Sequence, residues 1–291
     1  MPVLICIVSA FFWAAFDLTR KLTLEKISSI NLLLIFTITQ LIIFFIWLFF
    51  EDFSINLIPY LLPGITLIII GLFSALLFLK AIKQSDLSLT IPLLSLSPMF
   101  SSLFSFFFLN EQLSNIQYLG IFLIILGTLI LYSKKLTIYE IIKSFKIILK
   151  NSSAKLMVLV SIIWSLTPVL DKICLKNSSV NIHGFIQSLG MITLLIFLFK
   201  KDKVQTENTK KNWRIILLTV FIGSTATILQ FYAILTNYVP IMESIKRSIG
   251  QLSSVFLGKI FFNEEVNKPK VVGVIVLSIG VYFILGNEVI I

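Results

Sequence analysis

The chain has 291 residues, of which 57% are hydrophobic and 13% charged, with a formal net charge of +10 and a mean hydropathy of +1.01. This composition excludes a soluble globular domain, and the basic residues lie mainly in short segments between apolar runs, which indicates a membrane surface and no nucleic acid as their partner. The apolar runs reach the roughly 20 residues of a membrane helix and lack the alternation of β-barrel strands. We therefore predict an all-α membrane protein.

Ten transmembrane helices are predicted in chain order. They run from Pro2 to Leu18, Asn31 to Phe50, Tyr60 to Ala81, Leu87 to Phe108, Ile116 to Tyr132, Lys155 to Cys174, Ile182 to Phe199, Trp213 to Leu235, Val239 to Phe262 and Lys270 to Leu285. The first lacks a positively charged start, so we expect it to be retained, not cleaved as a signal peptide. Cys6 and Cys174 are interpreted as small apolar residues, and the lone His183 has no partners for a metal site.

The second half of the chain repeats the first at an offset of about 150 residues. The matching pairs are Trp13 and Trp164, Lys21 and Lys172, Gly71 and Gly223, Ala81 and Ala233, Asn110-Glu111 and Asn263-Glu264, Gly120 and Gly273, and Gly127 and Gly280. Each half holds five spans, an odd number, so the second must enter the membrane with the opposite orientation. We predict two inverted five-helix repeats, residues 1–133 and 155–291, which superpose after a rotation of about 180° around an axis in the membrane plane.

The basic residues outside the span centres are distributed unequally between the two sides. Only Lys172 and Lys176 fall on the side opposite the majority. The positive-inside rule then places both termini outside the cytoplasm. The connecting segment, residues 134–154, has isoleucines and Phe145 at helical spacing opposite lysines, which predicts an amphipathic helix at the membrane surface or a connector packed on the protein.

These features together resemble the EamA-type branch of the drug/metabolite transporter superfamily. The resemblance lies in the two Trp-bearing first spans, the five-plus-five duplication, and the junctions "LNEQLS…G" after residue 108 and "FNEEVN…G" after residue 261. It implies ten helices, a central cavity between the halves, alternating access and residence in the cell membrane. The family includes exporters of amino acids, metabolites and drugs, and its members are commonly drawn with cytoplasmic termini, opposite to the charge distribution here.

Charged residues at membrane depth are the first candidates for a site. An ionisable group in hydrocarbon costs at least ~2.5 kcal/mol, so it needs a partner or a hydrated cavity. In the ninth span, Glu243 precedes Lys246 and Arg247 by three and four residues and can contact either on a helix. We predict that the two cations bind a carboxylate or other anionic group of a substrate. The alternative is a helix end whose cations extend to the interface.

The first helix of each half supplies a second group of candidates. Trp13, Asp17 and Arg20 share one helical face, and Trp164 and Asp171 repeat that geometry. The two indoles are predicted to flank one cavity, unless they are interfacial anchors and Asp17 with Arg20 is only an ion pair at a helix end. Neutral polar residues that line a path or bond between helices are Gln40, Gln187, Gln230, Tyr232 and Asn237.

Prolines and glycines indicate bends and close packing. Pro92, Pro98 and Pro168 are expected to bend the fourth and sixth helices. The glycine pairs of the fifth and tenth spans stand seven residues apart, which suits close helix packing within the protein or against a second copy in a homodimer.

The sequence contains no phosphate loop, no metal-ligand spacing and no nucleophile elbow, so we expect no enzyme activity, no cofactor and no ATP-driven transport. We predict a secondary transporter of small polar metabolites such as amino acids. Proton coupling would use Glu243, Asp17 or Asp171. The alternative is a non-transporting scaffold or lipid-handling protein of the same fold, which has no use for cations facing a cavity.

Overall fold

The computed structural model describes residues 2–51, 53–84, 91–133, 135–140, 143, 152–199, 206–263 and 265–285. In these residues the long helices are α1 (Pro2–Leu24), α2 (Ser29–Trp47), α3 (Leu57–Gln84), α4 (Ser97–Leu109), α5 (Asn115–Tyr132), α6 (Ser152–Lys176), α7 (Val180–Leu198), α8 (Trp213–Thr236), α9 (Val239–Phe262) and α10 (Lys268–Leu285). A 3₁₀ segment, Ile91–Leu96, precedes α4, and a six-residue helix, Thr206–Lys211, precedes α8.

Seven of these helices are long and apolar enough to cross a membrane, namely α1, α2, α3, α6, α7, α8 and α10. The segments at α4 and α5 are apolar but shorter. Helix α9 is not among the seven, and it carries Glu243, Lys246 and Arg247 within a little more than one turn. Its charges must therefore be satisfied inside the protein, and all three side chains are indeed buried.

The fourth predicted span, Leu87 to Phe108, is not a single regular α-helix in the described residues. Residues 87–90 lie outside the described part of the chain, and a 3₁₀ segment at Ile91–Leu96 leads into α4 at Ser97. Pro98 occupies the first turn of α4, where the amide that proline lacks needs no partner within the helix. The proline therefore marks the start of a helix, whereas Pro168 lies inside α6 as predicted.

The repeated Asn-Glu signature has a backbone explanation. Asn110 ends α4 and Asn263 ends α9, and both adopt the left-handed conformation, with φ of 56° and 53°. Their backbone N–H groups donate to the carbonyls of Ser105 and Gly258. Asparagine is one of the few residues other than glycine that favours this cap, so the motif records the same helix end in both halves.

Helices of the first half pack mainly on helices of the second. Helix α1 packs on α8 and α3 packs on α6, while α2 packs on α7, α4 on α9 and α5 on α10. Each contact in this set has its counterpart when the two halves are exchanged. Cavities that form between α1–α3 and α6–α9 therefore lie between the repeats.

The glycine pairs bring α5 and α10 together backbone to backbone. A Cβ on Gly120 would lie 2.6 Å from the carbonyl oxygen of Gly280, and one on Gly127 would lie 2.8 Å from that of Gly273. Only glycine permits this approach. The expected close packing at these glycines is therefore within the chain. The glycine faces of α5 and α10 cover each other, so they are not available to a second copy of the protein.

Of the connecting segment, the structure describes residues 135–140, 143 and 152–154, so the predicted amphipathic helix lies mostly outside the described residues. Two basic residues of the charge count have buried side chains. Arg20 and Lys172 are buried in α1 and α6, one from each side of the count. Removing both leaves the inequality between the two sides in place.

Candidate functional site

A cavity of about 240 Å³ lies between α1–α3 of the first half and α6–α9 of the second. Its polar and charged lining includes Trp13, Arg20, Thr37, Gln40, Ser74, Trp164, Thr167, Asp171, Gln187, Ser188, Thr227, Gln230, Lys246 and Arg247. The remaining wall is mainly apolar, as in most small-molecule sites. Most of the site residues that were predicted from the sequence therefore line one cavity.

Helix α9 contributes a charged triad to this cavity. Glu243 is fully buried, with Oε1 2.5 Å from Nζ of Lys246 and Oε2 2.8 Å from an Nη of Arg247. The spacing of three and four residues produces both contacts on one helical face. One carboxylate serves two cations, so the triad keeps a net positive charge beside the cavity.

Residues on two neighbouring helices fix the orientation of the triad. Ser97 of α4 donates to Oε2 of Glu243 at 2.9 Å and accepts from Nε of Arg247 at 2.8 Å. Lys246 donates to Oε1 of Gln230 on α8 at 2.9 Å. Ser97 was not a predicted site residue, because a serine in an apolar span gives no signal of its own until its partner helix is known.

The two predicted tryptophans stand beside the two cations. Nζ of Lys246 lies 5.4 Å from the ring centre of Trp13, and Cζ of Arg247 lies 5.5 Å from that of Trp164. These are cation–π distances. Trp164 donates its Nε1–H to Ser74 at 2.9 Å, whereas the buried Nε1 of Trp13 has no hydrogen-bond partner among the described residues.

Asp17 is placed differently from the other acidic candidates. It forms an ion pair with Arg20, whose guanidinium lies between the rings of Phe16 and Phe78, with Cζ 4.2 Å and 4.3 Å from the ring centres. Asp17 lines a separate void of about 20 Å³ and not the main cavity. Arg20, in contrast, reaches the main cavity.

Asp171 meets a histidine that the sequence left without a partner. Oδ1 of Asp171 lies 3.1 Å from Nε2 of His183, and Nδ1 of His183 lies 2.9 Å from the hydroxyl of Tyr60. Asp171 and His183 each stand six residues from Asn177 in the short turn between α6 and α7. Equal distances from the turn place two residues opposite each other in a helical hairpin, so this spacing predicts their contact.

Tyr232 does not line the cavity, contrary to the prediction. Its side chain is exposed, whereas its neighbour Phe231 is buried and lines the cavity wall. Each step along an α-helix turns a side chain by about 100°, so Tyr232 lies about 200° from Gln230, on the far side of α8. Gln230 lines the cavity with Phe231, and Gln40 lines it while donating to Thr227 at 2.9 Å.

The other predicted neutral residue, Asn237, caps the end of α8 and donates to the carbonyl of Pro2 at 3.2 Å. It does not line the cavity. The backbone carbonyl of Asn237 accepts a hydrogen bond from Nζ of Lys172. The same Nζ lies 2.6 Å from Oε1 of Glu111, with which it forms a buried ion pair. The sequence analysis counted Lys172 only among the basic residues of one membrane side, near the end of the sixth span at Cys174.

Comparison with protein families matches residues 1–133 and 151–286 to the EamA-like transporter family. A comparison with curated proteins gave no significant match. A solved structure titled "Crystal structure of protein" is similar in fold, with a TM-score of 0.66 and 15% sequence identity, over 99% of this chain and 98% of that one. The family match covers both halves and nearly the whole chain. The chain therefore belongs to the EamA-like transporter family and is an integral membrane transporter.

Proposed function

We propose that the protein is a secondary carrier of small polar metabolites that bear a carboxylate, such as amino acids. The observation that carries the proposal is the buried triad of α9, in which Glu243 balances only one of the two cations, Lys246 and Arg247. A cargo carboxylate supplies the missing negative charge. The same carboxylate accepts a hydrogen bond from the indole N–H of Trp13, which stands beside Lys246.

The size of the cavity favours a metabolite over a drug or a lipid. Pockets for drug-sized ligands begin at about 300 Å³, and this cavity holds about 240 Å³. Its apolar wall, with Phe36 and Met191, accommodates an aliphatic or aromatic side chain opposite the charged end. A scaffold without cargo would gain nothing from a desolvated, unbalanced cation at this depth.

We further propose ten membrane helices in two inverted repeats that exchange access to this cavity, with the termini outside the cytoplasm. The support is the reciprocal packing of α1 on α8, α3 on α6 and each remaining helix on its own counterpart, the pattern of two halves related by a two-fold axis. Helices α4, α5 and α9 then cross the membrane in contact with neighbouring helices. These neighbours compensate for the short length of α4 and α5 and satisfy the charges of α9. The cell membrane is the expected location.

Counterflow in proteoliposomes tests the site directly. Liposomes loaded with unlabelled amino acids are diluted into a radiolabelled amino-acid mixture, and exchange is measured for the unmodified protein and its variants. Arg247→Gln and Lys246→Gln each remove one charge of a buried pair, which costs roughly 2 kcal/mol or more, so we expect apparent affinity to fall about 30-fold or further. Lys259→Gln, on an exposed position of the same helix, is the matched control.

Arg247→Lys separates charge from geometry. It retains the charge but loses the fork that binds both Ser97 and Glu243, so exchange recovers only if charge alone matters. Unchanged exchange in Arg247→Gln and Lys246→Gln would show that the cations are structural. Substrate profiling of a strain that lacks the gene, by uptake and efflux, then identifies the cargo.

A further inference from the structure

We propose that Asp171, His183 and Tyr60 form a proton-binding relay that couples transport to a proton gradient, with proton and cargo carried in the same direction. The inference rests on the proposed carrier function and goes beyond it by assigning a coupling site. Asp171 lines the cavity, whereas His183 and Tyr60 lie behind it, 0% and 2% exposed. Asp171 therefore stands between the cavity and the buried imidazole.

The relay has a defined order of contacts. His183 lies between Asp171, 3.1 Å from Nε2, and the Tyr60 hydroxyl, 2.9 Å from Nδ1. Gln187, which lines the cavity, donates its amide to the same hydroxyl at 3.4 Å and to the carbonyl of Gly64 at 3.2 Å. The histidine is thus connected to the cavity wall on both sides, through Asp171 and through Gln187.

Proton binding changes the hydrogen bonds without breaking the relay. In the neutral state Nε2–H donates to Asp171, and Nδ1 accepts from the Tyr60 hydroxyl. The added proton enters at Nδ1 from the side of Tyr60 and Gln187, because Nε2 already carries a hydrogen, and the resulting imidazolium donates its two N–H groups to Asp171 and to Tyr60. The Tyr60 hydroxyl hydrogen must then turn away from Nδ1. This rearranges the hydroxyl to which the Gln187 amide donates.

The groups around the relay give the sign of coupling to cargo. Lys246 of α9 and Asp171 of α6 line the same cavity, Sγ of Cys174 lies 3.9 Å from the carbonyl oxygen of Tyr60, and the ring of Phe231 on α8 packs 5.0 Å from His183. A cargo carboxylate on Lys246 adds a negative charge to this cavity, and a proton on the relay adds a positive one. Cargo and proton therefore favour each other's binding, as linkage requires.

The duplication shows that the fold does not need this relay. Arg20 occupies the position in α1 that Asp171 occupies in α6, because both lie seven residues after the matched tryptophans, Trp13 and Trp164. His183 is the one histidine of the chain, so the first half has no equivalent. A buried aspartate–histidine pair present in one half alone is consistent with a functional origin, since the same scaffold forms without it.

The single histidine makes the relay directly observable. Protein labelled with ¹⁵N-histidine and purified through a histidine-free tag in nanodiscs gives one pair of imidazole nitrogen signals. We expect a neutral Nε2–H tautomer at pH 9 that converts to imidazolium by pH 5. Asp171→Asn and Tyr60→Phe should each shift the midpoint by at least one pH unit, whereas Asp17→Asn, a carboxylate already paired with Arg20, should leave it unchanged.

A transport measurement then tests the coupling. In proteoliposomes with an acidic exterior, unmodified protein should accumulate a radiolabelled amino-acid mixture, while His183→Gln and Tyr60→Phe should retain counterflow and lose most of the accumulation. A histidine signal that keeps one protonation state from pH 5 to 9 would overturn the proposal, as would full accumulation in both variants. If the unmodified protein shows no counterflow, the cargo class is wrong, and the histidine titration alone decides whether the relay binds protons.

Discussion

The ion pair between Glu111 and Lys172 predicts a large and measurable contribution to stability. Nζ of Lys172 lies 2.6 Å from Oε1 of Glu111, with both side chains less than one tenth exposed. The other carboxylate oxygen accepts from Ser105 at 2.6 Å and from the backbone N–H of Val239 at 2.8 Å. This one side chain therefore ties the end of α4 to α6 and to the first turn of α9, the helix that carries the charged triad.

Each single substitution should destabilise the protein, but by different amounts. Removing one partner of a buried pair costs about 3–5 kcal/mol. Lys172→Met belongs near the lower end, because Ser105 and the N-terminus of α9 still donate to the carboxylate of Glu111. Glu111→Gln belongs near the upper end, because its amide oxygen replaces only one carboxylate oxygen, so its N–H₂ faces either the ammonium of Lys172 or the donors of Ser105 and Val239. The double variant should lose less than the two single losses combined.

Unfolding in SDS measures these differences. Cys6 and Cys174 are both buried, so a thiol-reactive fluorophore reports the fraction of unfolded chain across the titration. Single variants that stay within about 1 kcal/mol of the unmodified protein would show that water satisfies this site, contrary to the burial argument. A double variant that equals the two single losses combined would refute the coupling between the two side chains.

Two further predictions concern packing and orientation. Gly127→Leu should separate α5 from α10, because its Cβ would lie 2.8 Å from the carbonyl oxygen of Gly273, and should cost about 1–3 kcal/mol in the SDS titration; Gly71→Ala, with its Cβ 3.6 Å from Met191, should be nearly neutral. A reporter that fluoresces only in the cytoplasm, fused to Ile291, should stay dark, and a bright fusion would reverse the orientation given by the basic residues.

The sequence predicts the parts of the site that depend on one helix alone. Helix α9 begins at Val239 and ends at Phe262, as predicted, and the contacts of Glu243 with Lys246 and Arg247 are present. Both results follow from local rules, since a three- or four-residue spacing fixes neighbours on any α-helix. The function of these residues stays a proposal that the exchange experiments decide.

Contacts between helices were less accessible from the sequence. Ser97 orients two members of the triad from α4, and its sequence context, an apolar span with two prolines, contains no sign of that partner. His183 was set aside because a histidine alone is no metal site, although its distance from the α6–α7 turn matches that of Asp171. The prediction for Tyr232 was wrong because the direction of its side chain depends on which residues of α8 pack inward. Only tertiary structure decides that.

The differences between the two halves separate structure from chemistry in this chain. The positions that match, such as Asn110 with Asn263 and the glycines of α5 and α10, end helices or permit close packing in both halves of this chain. The positions that do not match include the triad of α9: at the offset of the Asn110–Asn263 match, Lys246 and Arg247 correspond to the apolar Leu93 and Leu94 of the 3₁₀ segment. The cargo that we propose is asymmetric, so the groups that bind it need not repeat in both halves. Departures from the repeat are therefore where binding groups should be sought, and both proposals, for the triad and for the histidine relay, rest on such departures.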